Sequence, residues 1–175
     1  MNEQLQRRFE RLESTRKDVL ARLEAHDRAR LNRPRDDGGW SALQVLSHVI
    51  NAEAGTRRYI SKKMLAGTGL PRAGLMSRLR LLALQLANVS PLRFRAPAGT
   101  GDVPADIEPG ELLSRWEEVR AEWRQLLDDF PEELLDRVVL RHSMVGLMGL
   151  PDTLSFLQSH LDHHARQVDR VLGSG

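Results

Sequence analysis

The sequence contains no cysteine. That excludes disulfides, thiolate zinc sites, iron–sulfur clusters and a cysteine nucleophile together. Aromatic residues are scarce, at 5%. No run of about 18 apolar residues occurs, so no transmembrane helix is expected. The N-terminus, MNEQLQRRFERLE, is charged throughout and lacks the apolar stretch of a secretion signal, which points to a cytoplasmic protein. Acidic residues are missing from one long stretch. Between Ala54 and Gly101 there is none, while Arg57, Arg58, Lys62, Lys63, Arg72, Arg78, Arg80, Arg93 and Arg95 all fall there. Net charge over the 175 residues is only +2, so the remainder of the chain is acidic. A block of one sign suggests an anionic partner, or else a solvated face paired with acids elsewhere.

What is present is helical periodicity. The length suits one domain, 1–175, with one core. Leu5, Phe9, Leu12, Val19 and Leu23 keep a four-three spacing in a first helix predicted over residues 2–30. Gly38-Gly39 and Pro34 close that region, and Ser41 is a suitable N-cap for a second helix running to about residue 66. A shorter helical piece is predicted over 75–89, followed by a stretch rich in Pro and Gly to residue 110. Leu112, Trp116, Val119, Trp123, Leu126 and Phe130 mark a third long helix over 111–130. A short helical turn is predicted over 132–138. The last helix opens at Pro151-Asp152 and runs to Leu172, with proline and a carboxylate in its first turn. No strand alternation stands out. The expectation is an all-α protein, an antiparallel four-helix bundle with an extra short helix in the crossover between its second and third helices.

Six histidines are present, and three fall within five residues of the last helix, in SHLDHHARQVDRVL. Taking His160 as zero, His164 lies about 40° round the helix and His163 about 60° the other way. His164 therefore falls inside the apolar stripe, His160 on its edge and His163 towards solvent. A pair of histidines at i, i+4 is the geometry by which a helix supplies two metal ligands. His48, in WSALQVLSHVINAE, borders the stripe of the second helix. If the second and last helices are neighbours, His48, His160 and His164 can converge. Three imidazoles leave an open position on an ion, which is the catalytic rather than the structural pattern. Glu53 falls about 140° from His48, well inside the apolar face. A carboxylate there serves as a general base, a fourth ligand or an orienting group, or is simply ion-paired, with Arg57 at i+4 as one candidate partner.

With these residues in view, the sequence resembles the DinB superfamily, four-helix proteins that include thiol-dependent bacillithiol and mycothiol transferases. WSALQVLSHVINAE is similar to the family's Trp-Ser start with a His followed five residues later by Glu. RHSMVGLMGLPDTLSFLQSHLDHHARQV is similar to its His-rich end, where a helix carries H-x-x-x-H-x-x-Q. The resemblance spans about residues 1–172. It implies an up-down-down-up bundle, often dimeric, with a metal triad at His48, His160 and His164 holding zinc, nickel or a similar divalent ion. It places Gln167 beside the second of the paired ligands. His142 matches a family histidine often followed by Pro, where this chain has Ser143. The implied activity is attack of a low-molecular-weight thiol, activated by the ion, on an electrophile; a hydrolase activating water needs the same site. Such thiols carry anionic groups, so Arg57, Arg58, Arg78 and Arg80, with His142, are candidate substrate-binding residues. A small-molecule substrate and a homodimer are expected, and no membrane. The alternative is a non-catalytic module using segment 57–95, with Tyr59 and Phe94 as stacking groups, for an anionic partner such as nucleic acid. The near-neutral net charge and the lack of any nucleic-acid motif argue against that partner.

Overall fold

The computed structural model describes residues 1–35, 37–65, 67–74, 79, 81–82, 103–142 and 145–173. Four long helices form the body: α1 (Glu3–Leu23), α3 (Ala42–Met64), α4 (Pro109–Asp128) and α5 (Leu150–Leu172). A five-residue helix, α2 (Arg28–Asn32), follows α1. The starts of the helices follow from local chemistry. Asn2 caps α1 by accepting from the Gln4 amide at 2.9 Å. Ser41 and Gln44 form a reciprocal capping box at the start of α3. α4 and α5 each carry proline in the first turn, where no amide proton is required.

Side-chain pairings fix the helix directions. Along α1 and α5, Arg8 meets Ser155, Thr15 meets Gln158, and Arg22 meets Asp169, so the two run parallel. Along α1 and α4, Phe9 meets Arg124 and Arg16 meets Glu117, so these run antiparallel. Glu53 meets Trp116 and Arg57 meets Glu122, which sets α3 parallel to α4. The result is an up-down-down-up bundle in which α3 packs on both α4 and α5. Its core is built from the inward stripes of all four helices, including Phe9, Val19, Leu46, Ile50, Trp116, Trp123, Leu157, Leu161 and Val168.

Several boundaries differ from the sequence expectation. The predicted first helix stops at Leu23, and Asp27 begins α2 by accepting from the Arg30 amide at 2.7 Å. The predicted turn over 132–138 is one 3-10 turn, Glu132–Leu134. The chain is not purely helical. A small antiparallel hairpin, β1 (Leu140–His142) and β2 (Gly146–Met148), precedes α5. Gly146 sits at φ +90°, a conformation that other residues rarely adopt. Leu140, Val145 and Met148 of this hairpin bury themselves with Leu81 in a small second cluster. The extra helix predicted over 75–89 lies largely outside the described residues. Among the described residues, no helix is long and apolar enough to cross a membrane.

Candidate metal centre

The packing of α3 against α5 brings His48, His160 and His164 together. One nitrogen from each lies within 4.8 Å of the others. His48 Nε2 and His160 Nε2 are 3.2 Å apart. Two ligands about 2.0–2.1 Å from a tetrahedral ion would stand about 3.3 Å apart, so this spacing fits a shared cation. The ring centroids are separated by 5.2 Å (48–160), 4.9 Å (48–164) and 4.5 Å (160–164).

His164 is oriented from outside the cluster. Its Nδ1 lies 2.9 Å from Gln167 Oε1, an amide oxygen that accepts. That bond places the proton on Nδ1 and leaves Nε2 as the donor available to a metal. Gln167 is thus the residue that orients the His164 ring.

Burial makes all three imidazoles poor bases. It pulls His48 below its ordinary value. It pulls His160 well below, helped by the neighbouring histidines. His164 is lowered to about 4, mainly by burial, with Gln167 opposing. All three are neutral at pH 7, the form that binds metal. Around them stand the Trp of the Trp-Ser start and one ring that the sequence did not single out, Phe156. Trp40 lies 5.4 Å from His48, and Phe156 lies 6.0 Å from His160. The hairpin carries His142 against Phe156, with centroids 4.5 Å apart. Its Nδ1 accepts from the Val145 amide at 3.3 Å, and burial lowers its basicity too. His163, expected at the surface, is half-buried with its ring edge-on to His164 at 5.1 Å.

Of the roles considered for Glu53, the structure gives the ion-paired one, with a partner other than Arg57. Its carboxylate is fully buried and committed elsewhere: Oε1 accepts from Arg120 Nη2 at 2.7 Å and Oε2 from Trp116 Nε1 at 3.1 Å. It is not among the gathered nitrogen and oxygen donors of the cluster. Its ion-pair partner is Arg120 of α4, not Arg57. Arg57 itself lies 2.9 Å from Glu122 of α4, so this candidate substrate-binding residue is held by an acid. The sequence reading missed Arg120, although its place between Trp116 and Trp123 on one helix face signals a buried charge. Of the other arginines in the acid-free stretch, Arg72 pairs with Asp136. Arg78, Arg80, Arg93, Arg95 and Phe94 lie outside the described residues.

Comparison with known proteins gives the same fold. One similar solved structure, described as YfiT from Bacillus subtilis, a probable metal-dependent hydrolase with an unusual four-helix bundle topology, superposes with a TM-score of 0.64 at 18% identity, covering 100% of this chain and 91% of that one. Another, described as TT2238, a four-helix bundle protein, superposes with a TM-score of 0.59 at 23% identity, covering 95% of this chain and 98% of that one. No curated protein matches the chain. The family pattern of the DinB superfamily matches residues 11–168, nearly the whole bundle from α1 to the last turns of α5, and the chain belongs to that superfamily.

Proposed function

We propose that the protein is a metal-dependent enzyme in which His48, His160 and His164 hold a divalent ion, zinc or nickel, and a low-molecular-weight thiol or water attacks a small electrophilic substrate. The observation that carries this reading is the convergence of three neutral imidazoles from two helices within 4.8 Å. An ion held there supplies positive charge at an open coordination position, which lowers the pKa of a thiol or water and favours the nucleophile at neutral pH. The chain's own residues do the rest. α3 and α5 fix the spacing of the nitrogens, and Gln167 holds the ring of His164. Trp40 and Phe156 give the cluster apolar flanks that limit access of bulk water. The similarity to YfiT, described as a probable metal-dependent hydrolase, supports attack by water. The resemblance of the His-rich motifs to thiol-dependent transferases supports attack by a thiol. A homodimeric, cytoplasmic enzyme is part of the same reading. Against nucleic-acid binding through 57–95 stands the pairing of two of its cations, Arg57 and Arg72, with acids.

The test is elemental analysis of the untagged purified protein beside His48→Ala and His160→Ala. A near-stoichiometric divalent ion in the parent, lost in both variants, is expected. Conjugation of a thiol to an electrophile, run against hydrolysis of the same electrophile, then separates the two nucleophiles. No ion after incubation with zinc and with nickel overturns the reading.

A further inference from the structure

A groove lies on the side of α5 opposite the histidines. The outer faces of α1 and α5 enclose a groove of about 710 Å³. From α1 it takes Arg7, Arg8 and Arg11, and from α5 it takes Ser155, Asp162 and Arg166. Ser155, Asp162 and Arg166 lie about 200–240° round the helix from His160. None of the three metal-site histidines lines the groove.

The charge in this groove is unbalanced. Four guanidiniums face a single carboxylate among the lining residues. Arg7 and Arg11 are one turn apart on α1, and Arg8 is also within a turn of Arg11, a like-charge arrangement that disfavours the helix. Internal contacts relieve little of it on α1. Arg7 reaches Glu3 at 3.1 Å, but both side chains are largely exposed. Arg8 donates to the Ser155 hydroxyl, a neutral acceptor. Arg11 has no ion pair or hydrogen bond among the described residues. Asp162 accepts from Gln158 Nε2 at 2.7 Å. The rest of the lining is polar apart from Leu154, and no aromatic ring is present on which a base could stack.

Guanidinium forks contributed by two helices match oxyanions carrying more than one negative charge. The volume lies in the range of small-molecule sites, about 300–1,000 Å³. We propose that the groove between α1 and α5 binds a multivalent small-molecule oxyanion, a phosphate ester or a polycarboxylate, at a site separate from the histidine cluster.

The test is titration of the protein at low salt with inorganic phosphate and, separately, with succinate, followed through the arginine side-chain Nε–H resonances by NMR. Saturable movement of the Arg8, Arg11 and Arg166 signals is expected, with Arg115, paired with Glu118 outside the groove, unmoved. Stronger binding of phosphate assigns the ligand to phosphate esters, and stronger binding of succinate to carboxylates. Arg11→Ala and Arg166→Ala should each weaken binding by at least about tenfold, as expected when a charge-assisted hydrogen bond is lost. Uniform, non-saturating shifts across all arginines, or an unchanged affinity in both variants, would overturn the proposal.

Discussion

Glu53 shows how a charge inside an apolar stripe is accommodated. Its two oxygens accept from Arg120 and Trp116, and its backbone carbonyl accepts from Trp123 Nε1 at 3.2 Å. Arg120 also lies 3.5 Å from Glu13, which bonds Arg16 at 3.0 Å, and Arg16 reaches Glu117 at 2.7 Å. The network joins α1, α3 and α4. Burial pushes the Glu53 carboxyl up, and Arg120 and Trp116 pull against it. A buried ion pair adds little net stability over an apolar replacement, but removing one partner strands the other charge, at a cost of about 3–5 kcal/mol. Glu53→Ala is therefore expected to lower unfolding free energy by about 3–5 kcal/mol in urea titrations. Because its oxygens are held by Arg120 and Trp116, the folded variant should bind as much added zinc as the parent. A well-folded Glu53→Ala protein that lost the ion would place the carboxylate back at the metal centre. The sequence marks Glu53 as anomalous but not its partner, because Arg120 is 67 residues away. The first helix holds the matching clue. The stripe Leu5, Phe9, Leu12, Val19, Leu23 skips one turn, and the residue filling that gap is Arg16, 6% exposed.

At the scale of elements, local signals located the long helices and long-range ones were needed for the rest. Ser41 was legible because capping is written within four residues, and the structure forms the full box with Gln44. The paired histidines of α5 were legible because helical periodicity alone puts them on one face. Their meeting with His48 depended on which helices are neighbours, and that is set by packing 112 residues apart in sequence. The hairpin was not legible: three residues per strand are too few to show alternation, and its apolar side chains are buried by a partner, Leu81, far along the chain. The cap of α3 bears on function, since His48 lies two turns into that helix. Ser41→Ala removes the acceptor of the Gln44 amide and is expected to cost about 1 kcal/mol of stability. Thermal unfolding measures it, and Ser41→Asp, which restores an acceptor, should recover part of the loss. Equal destabilisation by both variants would mean that burial of Ser41, not capping, sets the cost.

At the scale of the whole molecule, the histidine cluster links folding to pH. In the unfolded chain each imidazole titrates near 6.5. In the folded, metal-free chain His164 titrates near 4, and His160 lies well below its ordinary value. Below pH 6.5 the unfolded state therefore binds more protons, and stability falls as pH falls. The contribution is fully present above 6.5 and is lost down to the folded-state value. The drop at His164 alone corresponds to about 3 kcal/mol in full, of which about 2 kcal/mol disappears between about pH 7.5 and 5. Urea midpoints of the metal-free protein across this window measure the loss. His164→Asn removes one titrating group and should flatten the profile by roughly that amount. A bound ion acts in the opposite sense. It binds only the folded state, and at about a hundred times its dissociation constant it adds about 2.7 kcal/mol. Zinc added at pH 7 should thus raise the melting temperature of the parent and leave that of His160→Ala unmoved. A parent protein whose stability is flat between pH 7.5 and 5 would show that the imidazoles remain open to water and protons, and would remove the physical basis for treating them as a preformed, neutral set of ligands.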